Sequence, residues 1–600
     1  MKQRVADYIA DFLVEHGIRH CFSVVGGGAM HLNDALGHHD KLEVIYDHHE
    51  QACSMAAEAY ARVNNQIAVV CVTSGPGATN AITGVACGWM ASIPMLILSG
   101  QVRYETTVYA SGLDLRTKGF QEFDIMGSVH NMTKYCQLIR DPEDVRYCLE
   151  KALFLAHEGR PGPCWLDIPM DVQGALIDPG SLRSFSPSRK EYDADPADID
   201  LIIKKISEAK RPVLYIGNGV RFAGAHKEML ELVDLFNIPV VTGDASVDAI
   251  ETSHPLFVGM TGTRGGRAAN FAVQNSDLFI SFGGRLGYMQ TGFNYKAWAR
   301  DAYKIINDID INEIKKDNIG ADFMLCCDAG KAIRRFIEAL PAPLPENKEW
   351  IRRCTQWKTR YPAVLSKHYE DSKPNVYAFF KELTERLSCD DQMVVSVGAA
   401  RVAGSQAAII KEGMRFITNA ATGSMGYDLP AALGVCFATD RKKTILVTGD
   451  GSLQMNIQEF QTIVHHRLPI IIFILNNGGY NAIRATQTSF FSRSLVGVGP
   501  ESGDLSFPDL SKLVPAYGID YRRCESMDKM VDCITWALEH QEPCLCELML
   551  SAKQGIEPKV ASKKRSDGTM VSGTLEDMAP FLSSEELAEN MLIPMIKESV

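Results

Sequence analysis

The sequence predicts an α/β protein built from parallel sheets in three successive blocks. Three observations carry this expectation. Short β-branched runs alternate with stretches of helical periodicity, the alternation recurs three times, and Pro-, Ser- and Asp-rich connectors separate the blocks. The chain's 600 residues suit about three or four domains.

The opening stretch, "MKQRVADYIADFLVEHGIRH", carries charges throughout and has no unbroken apolar core, so it reads as an amphipathic helix rather than a signal peptide. In the first block, residues 1–172, "LEVIYD" precedes "QACSMAAEAYARV", and "IAVVCVT" precedes "ATNAITGVACGWM" and "PMLILSG". That block closes on "GRPGPCWLDIPMDV", and "DPGSLRSFSPSRKEYDADPAD" leads out of it. A second block, residues 195–340, opens on "RPVLYIGNGV" and includes "IINDIDINEI"; "LPAPLPENKEW" marks the next break. The third block spans residues 373–552. The remainder, 553–600, contains the polar "GIEPKVASKKRSDGTMVSGTLEDM", with Lys559, Lys563, Lys564 and Arg565, and reads as a loop or lid rather than core.

Composition excludes some function classes. The apolar fraction of 46% is ordinary for globular proteins and allows large cores. A formal net charge of −12 argues against a nucleic-acid binder, and no apolar run is long enough to span a membrane. The 16 cysteines form neither a C-x-x-C pair nor a zinc-spaced cluster, so they read as small core residues in a reducing cytoplasm.

Two strand ends stand out. "TILVTGDGSLQMNIQEF" runs an apolar strand into Gly-Asp-Gly and a helix, and "IIIFILNNGGYNAIR" ends its strand in Asn-Asn-Gly-Gly. Ligands bind at the carboxyl edge of parallel sheets. An acid, Asp450, at one such edge and an amide, Asn477, at the next offer hard oxygens suited to Mg²⁺, which shares its shell with phosphate and water. The helix that follows Asp450 turns its first amides toward the same place, favouring an anion. Either motif alone would be an ordinary turn, since these are common turn residues. The pair is more specific.

Taken together, these motifs resemble the thiamine diphosphate signature, and most of the chain resembles the catalytic subunit of acetohydroxyacid (acetolactate) synthase. "CFSVVGGGAMHLNDAL", "SGPGATNAITGVACGWMASIPMLILSGQV", "GFQEFD", "GMTGT" and "TGSMGYDLPAALG" all look like segments of that family. The resemblance implies three doubly wound parallel-sheet domains (pyrimidine-binding, central and diphosphate-binding) followed by a C-terminal tail. It implies thiamine diphosphate and Mg²⁺ as cofactors, the metal held by Asp450, the Asn477 side chain and the Gly479 carbonyl. It also implies a homodimer or homotetramer, because the family places Glu50 of one chain over the diphosphate domain of another.

Site residues follow from the same resemblance. An acid at a helix N-terminus, as Glu50 is, ordinarily complements the helix dipole. Here it matches the family glutamate that hydrogen-bonds the aminopyrimidine ring and promotes the tautomer that removes the thiazolium proton. Met425, otherwise a core methionine, matches the wedge that bends the two cofactor rings together. Gln121 matches a glutamine near the reacting carbon. Gly26, Gly27, Pro76, Asn80, Gly398, Gly423, Gly451, Ser452 and Tyr480 fall in the cofactor-binding segments.

Substrate choice is where the sequence departs from the family. Thr486 stands where biosynthetic synthases have a tryptophan that favours 2-oxobutyrate, with Gln487 beside it. Arg285 matches an arginine linked to the acceptor's carboxylate. After Arg285 the family's flavin-associated Asp-Asp pattern is replaced by "LGYMQTG", whereas "GNG" and "GMTGT" still allow FAD. "VGAARVAGSQ" lacks the family's Gln-His-Gln at the diphosphate loop. The expected function is decarboxylation of a 2-oxo acid, pyruvate above all, with ligation of the two-carbon unit to a second carbonyl compound. A non-ligating decarboxylase or oxidase, or a carboligase with an aldehyde or keto-sugar acceptor, is the alternative.

Overall fold

The computed structural model describes residues 2–564 and 570–596, and so leaves Arg565 outside. Three six-stranded sheets, all parallel, form its frame. The first contains β1 (His20–Ser23), β2 (Glu43–Tyr46), β3 (Val69–Val72), β4 (Met95–Gln101), β5 (Tyr135–Leu138) and β6 (Pro163–Pro169). The central sheet contains β7 (Pro212–Ile216), β8 (Val240–Thr242), β9 (Phe257–Met260), β10 (Leu278–Phe282), β11 (Tyr303–Asn307) and β12 (Phe323–Leu325). In the third are β13 (Gln392–Val395), β14 (Arg415–Ile417), β15 (Thr444–Gly449), β16 (Ile470–Asn476), β17 (Asp520–Cys524) and β18 (Cys544–Met549).

Strand order separates the sheets into two kinds. The first sheet runs β2-β1-β3-β4-β6-β5, and the third, β14-β13-β15-β16-β18-β17, repeats that order. The central sheet runs β9-β8-β7-β10-β11-β12, the dinucleotide-type order with its crevice between β7 and β10. In the third sheet the order reverses between β13 and β15, so the segments after these strands, carrying Gly398 and Asp450, flank the crevice where a ligand is expected.

Eight helices matter for the site: α1 (Glu50–Asn64), α2 (Pro76–Ala91), α3 (Arg267–Gln274), α4 (Lys348–Arg360), α5 (Ala399–Ala407), α6 (Asp428–Ala438), α7 (Asp450–Leu453) and α8 (Asn481–Phe490). The first and third sheets share one core. Cys53, Met55, Tyr60 and Trp165 from the first part pack in the same cluster as Tyr427, Leu433, Phe437 and Phe460 from the third. Small residues make this approach close. A Cβ on Gly434 of α6 would sit 2.0 Å from the Ala56 carbonyl oxygen of α1, so only glycine fits there. Inside the contact, Arg62 and Tyr427 both hydrogen-bond the fully buried Glu58 carboxylate. Removing either partner would leave buried charge or polarity uncompensated, which is strongly destabilising.

The tail is more firmly anchored than the polar composition of its first part suggests. Lys559–Val560 pairs antiparallel with Met578–Ala579. Leu575, Met578 and Leu587 are buried, two of them within the second core of the central domain. Arg300 reaches the buried Glu576 at 3.0 Å. A few apolar side chains, widely spaced among polar ones, anchor this segment and give no periodic signal.

Candidate functional site

Strand β15 delivers Asp450 to the first position of α7, where its carboxylate is buried. One oxygen accepts from the Gly451 amide at 3.0 Å and the other from the Gly479 amide at 2.7 Å. Burial pushes this carboxyl up to about 6, against the pull of those amides. A neighbouring cation would reverse that shift.

The two asparagines after β16 are not equivalent. Asn476 is consumed structurally, donating to Glu547 at 2.7 Å and accepting from the Gly478 amide at 3.0 Å. The Oδ1 atom of Asn477 is buried and has no hydrogen-bond partner among the described residues. An orphaned buried acceptor at a strand end next to one that ends in a buried carboxylate calls for a partner such as water or a cation. Gly479 has φ +130°, and a Cβ there would meet the Val498 carbonyl oxygen at 2.0 Å, so the turn that presents its carbonyl requires glycine. Among the described residues there is no group of three or more His, Cys, Asp or Glu that could hold a metal. One carboxylate, one amide oxygen and one main-chain carbonyl is instead the sparse oxygen set that suits Mg²⁺, which keeps several waters and phosphate oxygens of its own.

Around this point the site is open to a phosphorylated ligand. Gly398, which caps α5, and Gly423 both have positive φ and no atom within 4 Å of where a side chain would begin. A Cβ on Gly451 would lie 2.3 Å from the Tyr480 ring, which closes over that turn. Ser452 donates to Asp428 at 2.6 Å and accepts from the Gly426 amide at 2.9 Å, fixing the turn that carries the half-buried Met425.

In the first domain, Glu50 opens α1 after His49, whose side chain accepts from the Gln51 amide at 3.0 Å. Asn80 of α2 donates to a Glu50 oxygen at 3.0 Å, and Gly77 leaves room beside the other. Pro76 starts α2 and is exposed. Gly26 lies against Thr73, whereas Gly27 faces open space. Gln121 is exposed with φ +61°, and its carbonyl abuts Gly75 at the start of α2.

One connection was not legible beforehand. The Asn456 amide donates to the Gly426 carbonyl at 2.7 Å and to Gln51 Oε1 at 3.1 Å. It thereby joins the residue after Met425 to the residue after Glu50. Glu459, three positions on, accepts from the His48 amide at 3.1 Å. The only sequence signal was an amide shortly after Gly-Asp-Gly, which on its own says nothing.

The substrate candidates are placed less uniformly. Thr486 is exposed on α8 and returns its hydroxyl to the Ala482 carbonyl at 3.0 Å. Gln487 spends both ends of its amide on the Val496 backbone, at 2.9 and 3.0 Å, and so braces the loop after α8. Arg285 follows β10, has φ +53° and lies 3.8 Å from Glu313. It lines a cavity of about 370 Å³ at the central sheet's crevice, together with Gly217, Gly219, Gly284 and Asp308. Burial pushes the Asp308 carboxyl up to about 6, while the Asp310 amide donates to it at 2.9 Å. Glycines at the crevice of this sheet type, with an acid after a neighbouring strand, suit a dinucleotide.

Fold and site describe a class: α/β enzymes that hold phosphorylated cofactors at sheet crevices. Three family models match in order, the thiamine pyrophosphate enzyme N-terminal TPP binding domain at residues 3–128, central domain at 199–336 and C-terminal TPP binding domain at 396–548. The acetolactate synthase isozyme 3 large subunit of Escherichia coli (strain K12) is 33% identical over 526 residues, covering 86% of this chain and 88% of that one. The acetolactate synthase large subunit of Cyanidium caldarium is 31% identical over 573 residues, with 93% and 94% covered. The acetolactate synthase of Arthrospira platensis is 31% identical over 578 residues, with 92% and 95% covered. The chain therefore belongs to the acetolactate synthase large-subunit family of thiamine pyrophosphate enzymes.

Proposed function

We propose that this chain is a thiamine diphosphate- and Mg²⁺-dependent carboligase of the acetolactate synthase type. It decarboxylates pyruvate and joins the two-carbon unit to a second carbonyl compound. The observation that carries the metal-dependent part is the unpartnered Asn477 Oδ1 at the strand end next to the buried Asp450 carboxylate. When bound, thiamine diphosphate supplies the nucleophilic carbon and the electron sink for decarboxylation.

The chain's own residues do the rest. Asp450, Asn477 and the Gly479 carbonyl would hold Mg²⁺, and the open turns at Gly398 and Gly423 would admit the diphosphate. Met425, fixed through Gly426 by Ser452 and Asn456, serves as a positioned wedge. Glu50, oriented by Asn80, holds the proton exchanged at the aminopyrimidine nitrogen, and Gln121 lies in a loop beside the start of α2. The central cavity has the glycines and the acid to hold FAD, and Arg285 belongs to that cavity's wall.

The exposed Thr486 supports a second reading of the acceptor. With no large apolar side chain at that position, discrimination for one extra methylene, worth about 1–3 kcal/mol, has no wall to supply it. Larger aldehyde or keto-sugar acceptors fit this reading. Assembly as a homo-oligomer is the arrangement this reading expects, and exposed apolar side chains next in sequence to site residues, Phe120 beside Gln121 and Val25 beside Gly26, agree with it. A cytoplasmic setting is supported by sixteen unpaired cysteines, most of them buried. Among the described residues no helix is long and apolar enough to cross a membrane.

The test is product analysis with pyruvate alone and with equal 2-oxobutyrate. Acetolactate should form, with little gain from 2-oxobutyrate. Consumption of pyruvate to acetaldehyde or acetate alone would replace ligation with simple decarboxylation or oxidation, and strong preference for 2-oxobutyrate would remove the significance of Thr486.

A further inference from the structure

A second cavity, of about 510 Å³, lies away from Asp450 and Glu50, along the free edge of the central sheet. Its walls come from β9, the end of α4, the C-terminal half of α5 and the tail at Glu557, Pro558 and Pro580. The size is in the range of small-molecule sites, and Phe257, Val258, Val364 and Ile410 give it an apolar lining.

Its charge is unbalanced. Lys358 and Arg267 both line the cavity. The Lys358 ammonium, partly buried, donates to the carbonyls of Thr252 and Phe257 at 2.9 and 2.8 Å. The 9%-exposed Arg267 guanidinium donates to the carbonyls of Met578 and Pro580. Neither has a carboxylate within ion-pair distance among the described residues. Burial lowers both from their ordinary values; nothing offsets this at Lys358, while at Arg267 the more distant Glu586, Asp577 and Glu557 offset it only in part. Glu557, the one carboxylate in the lining, is taken by Lys367 at 2.8 Å. The first turn of α3, Arg267 to Ala269, also borders the space, and helical N–H groups there have no partner within their own helix. Burying two cations beside a roomy cavity is costly unless an anion completes the site.

We propose that this cavity binds a small organic anion, a carboxylate or phosphate monoester with an apolar body, whose charge pairs with Lys358 and Arg267. The ligand would bridge the central domain, the third domain and the tail. Because α5 borders this cavity and carries Gly398 at its other end, the site is suited to an effector rather than a reactant.

The experiment uses the full chain with two probes, benzoate and phenyl phosphate, titrated by calorimetry and by thermal unfolding. One or both should bind saturably and raise Tm, as any ligand selective for the folded state does. The tighter probe identifies the anion class. Lys358→Met should weaken binding about 10- to 100-fold, the loss expected for one charge-assisted hydrogen bond, while Lys358→Arg should retain it. Asp450→Ala, which impairs the metal site, should leave probe binding intact and so separates this cavity from the cofactor site. Binding of neither probe to the wild-type chain at about 10 mM, a range that captures even weak millimolar ligands, overturns the proposal. So does equal binding by a folded Lys358→Met protein, its fold checked by circular dichroism.

Discussion

At the scale of single residues, the contrast between Asn476 and Asn477 shows what separates a functional side chain from a structural one. Both are asparagines at one strand end, but only Asn477 keeps an unpaired buried oxygen. Asp450→Ala should therefore abolish Mg²⁺-dependent retention of thiamine diphosphate while the protein remains folded. Calorimetry with Mg²⁺ present checks this, and unchanged affinity would dismiss the metal assignment. Glu50→Gln keeps the shape and the Asn80 contact but cannot exchange a proton. Binding should persist while activation slows by about 10²–10⁴-fold, the usual contribution of a positioned acid–base group. Hydrogen–deuterium exchange at the thiazolium carbon reads that rate directly. Asp450 and Asn477 were legible in the sequence because glycines and apolar strands frame them. Asn456 was not, because its bond to Gln51 joins parts of the chain 405 residues apart, and its bond to Gly426 crosses from one loop to another.

At the scale of elements, the paired strands β4 and β6 bury an acid that the motif reading never reached. Asp167 lies opposite Ser99, accepts from Ser99 at 2.5 Å and from Gln101 at 3.0 Å, and is pushed up to about 7 by burial. The folded form holds this proton more tightly than the unfolded chain, whose carboxyl titrates near 3.8. The stabilisation it brings is present in full below the unfolded value and is lost as pH rises toward about 7. Asp167→Asn keeps both contacts, donating to Ser99 and accepting from Gln101, without a charge to bury. Its advantage in Tm over wild type should grow between pH 4 and pH 8, reaching about 1–3 °C for a large chain. A pH-independent difference would contradict the assigned cause. The strands themselves were evident from sequence, since runs such as "PMLILSG" announce a buried parallel strand. Periodicity cannot reveal that a single acid among them is fully enclosed.

At the scale of the whole molecule, the three blocks emerge as three sheets, and the alternation of strands and helices was sufficient to show it. Strand order was not legible, because order depends on which strands pair across the sheet rather than on local pattern. The anchoring of the tail was not legible for a related reason. Leu575, Met578 and Leu587 are few and far apart, yet each is buried. Truncation after Gln554 should therefore do more than open the site. At about 1.5–3 kcal/mol for each large apolar side chain, removing these three costs roughly 5 kcal/mol or more in the central region. Scanning calorimetry should show that transition at a markedly lower temperature, and an unchanged thermogram would restore the picture of a detachable lid.

The core shared by α1, α2 and α6 also sets a timetable for biosynthesis. The apolar faces of α1 and α2 leave the ribosome roughly 350 residues before α6 does, a gap of about 20–70 s at ordinary elongation rates. Throughout that interval the nascent first domain carries an uncovered sticky surface. Production of this protein should therefore depend on chaperone supply more than its finished, well-packed interior would suggest, and slowing translation would lengthen the exposure rather than relieve it.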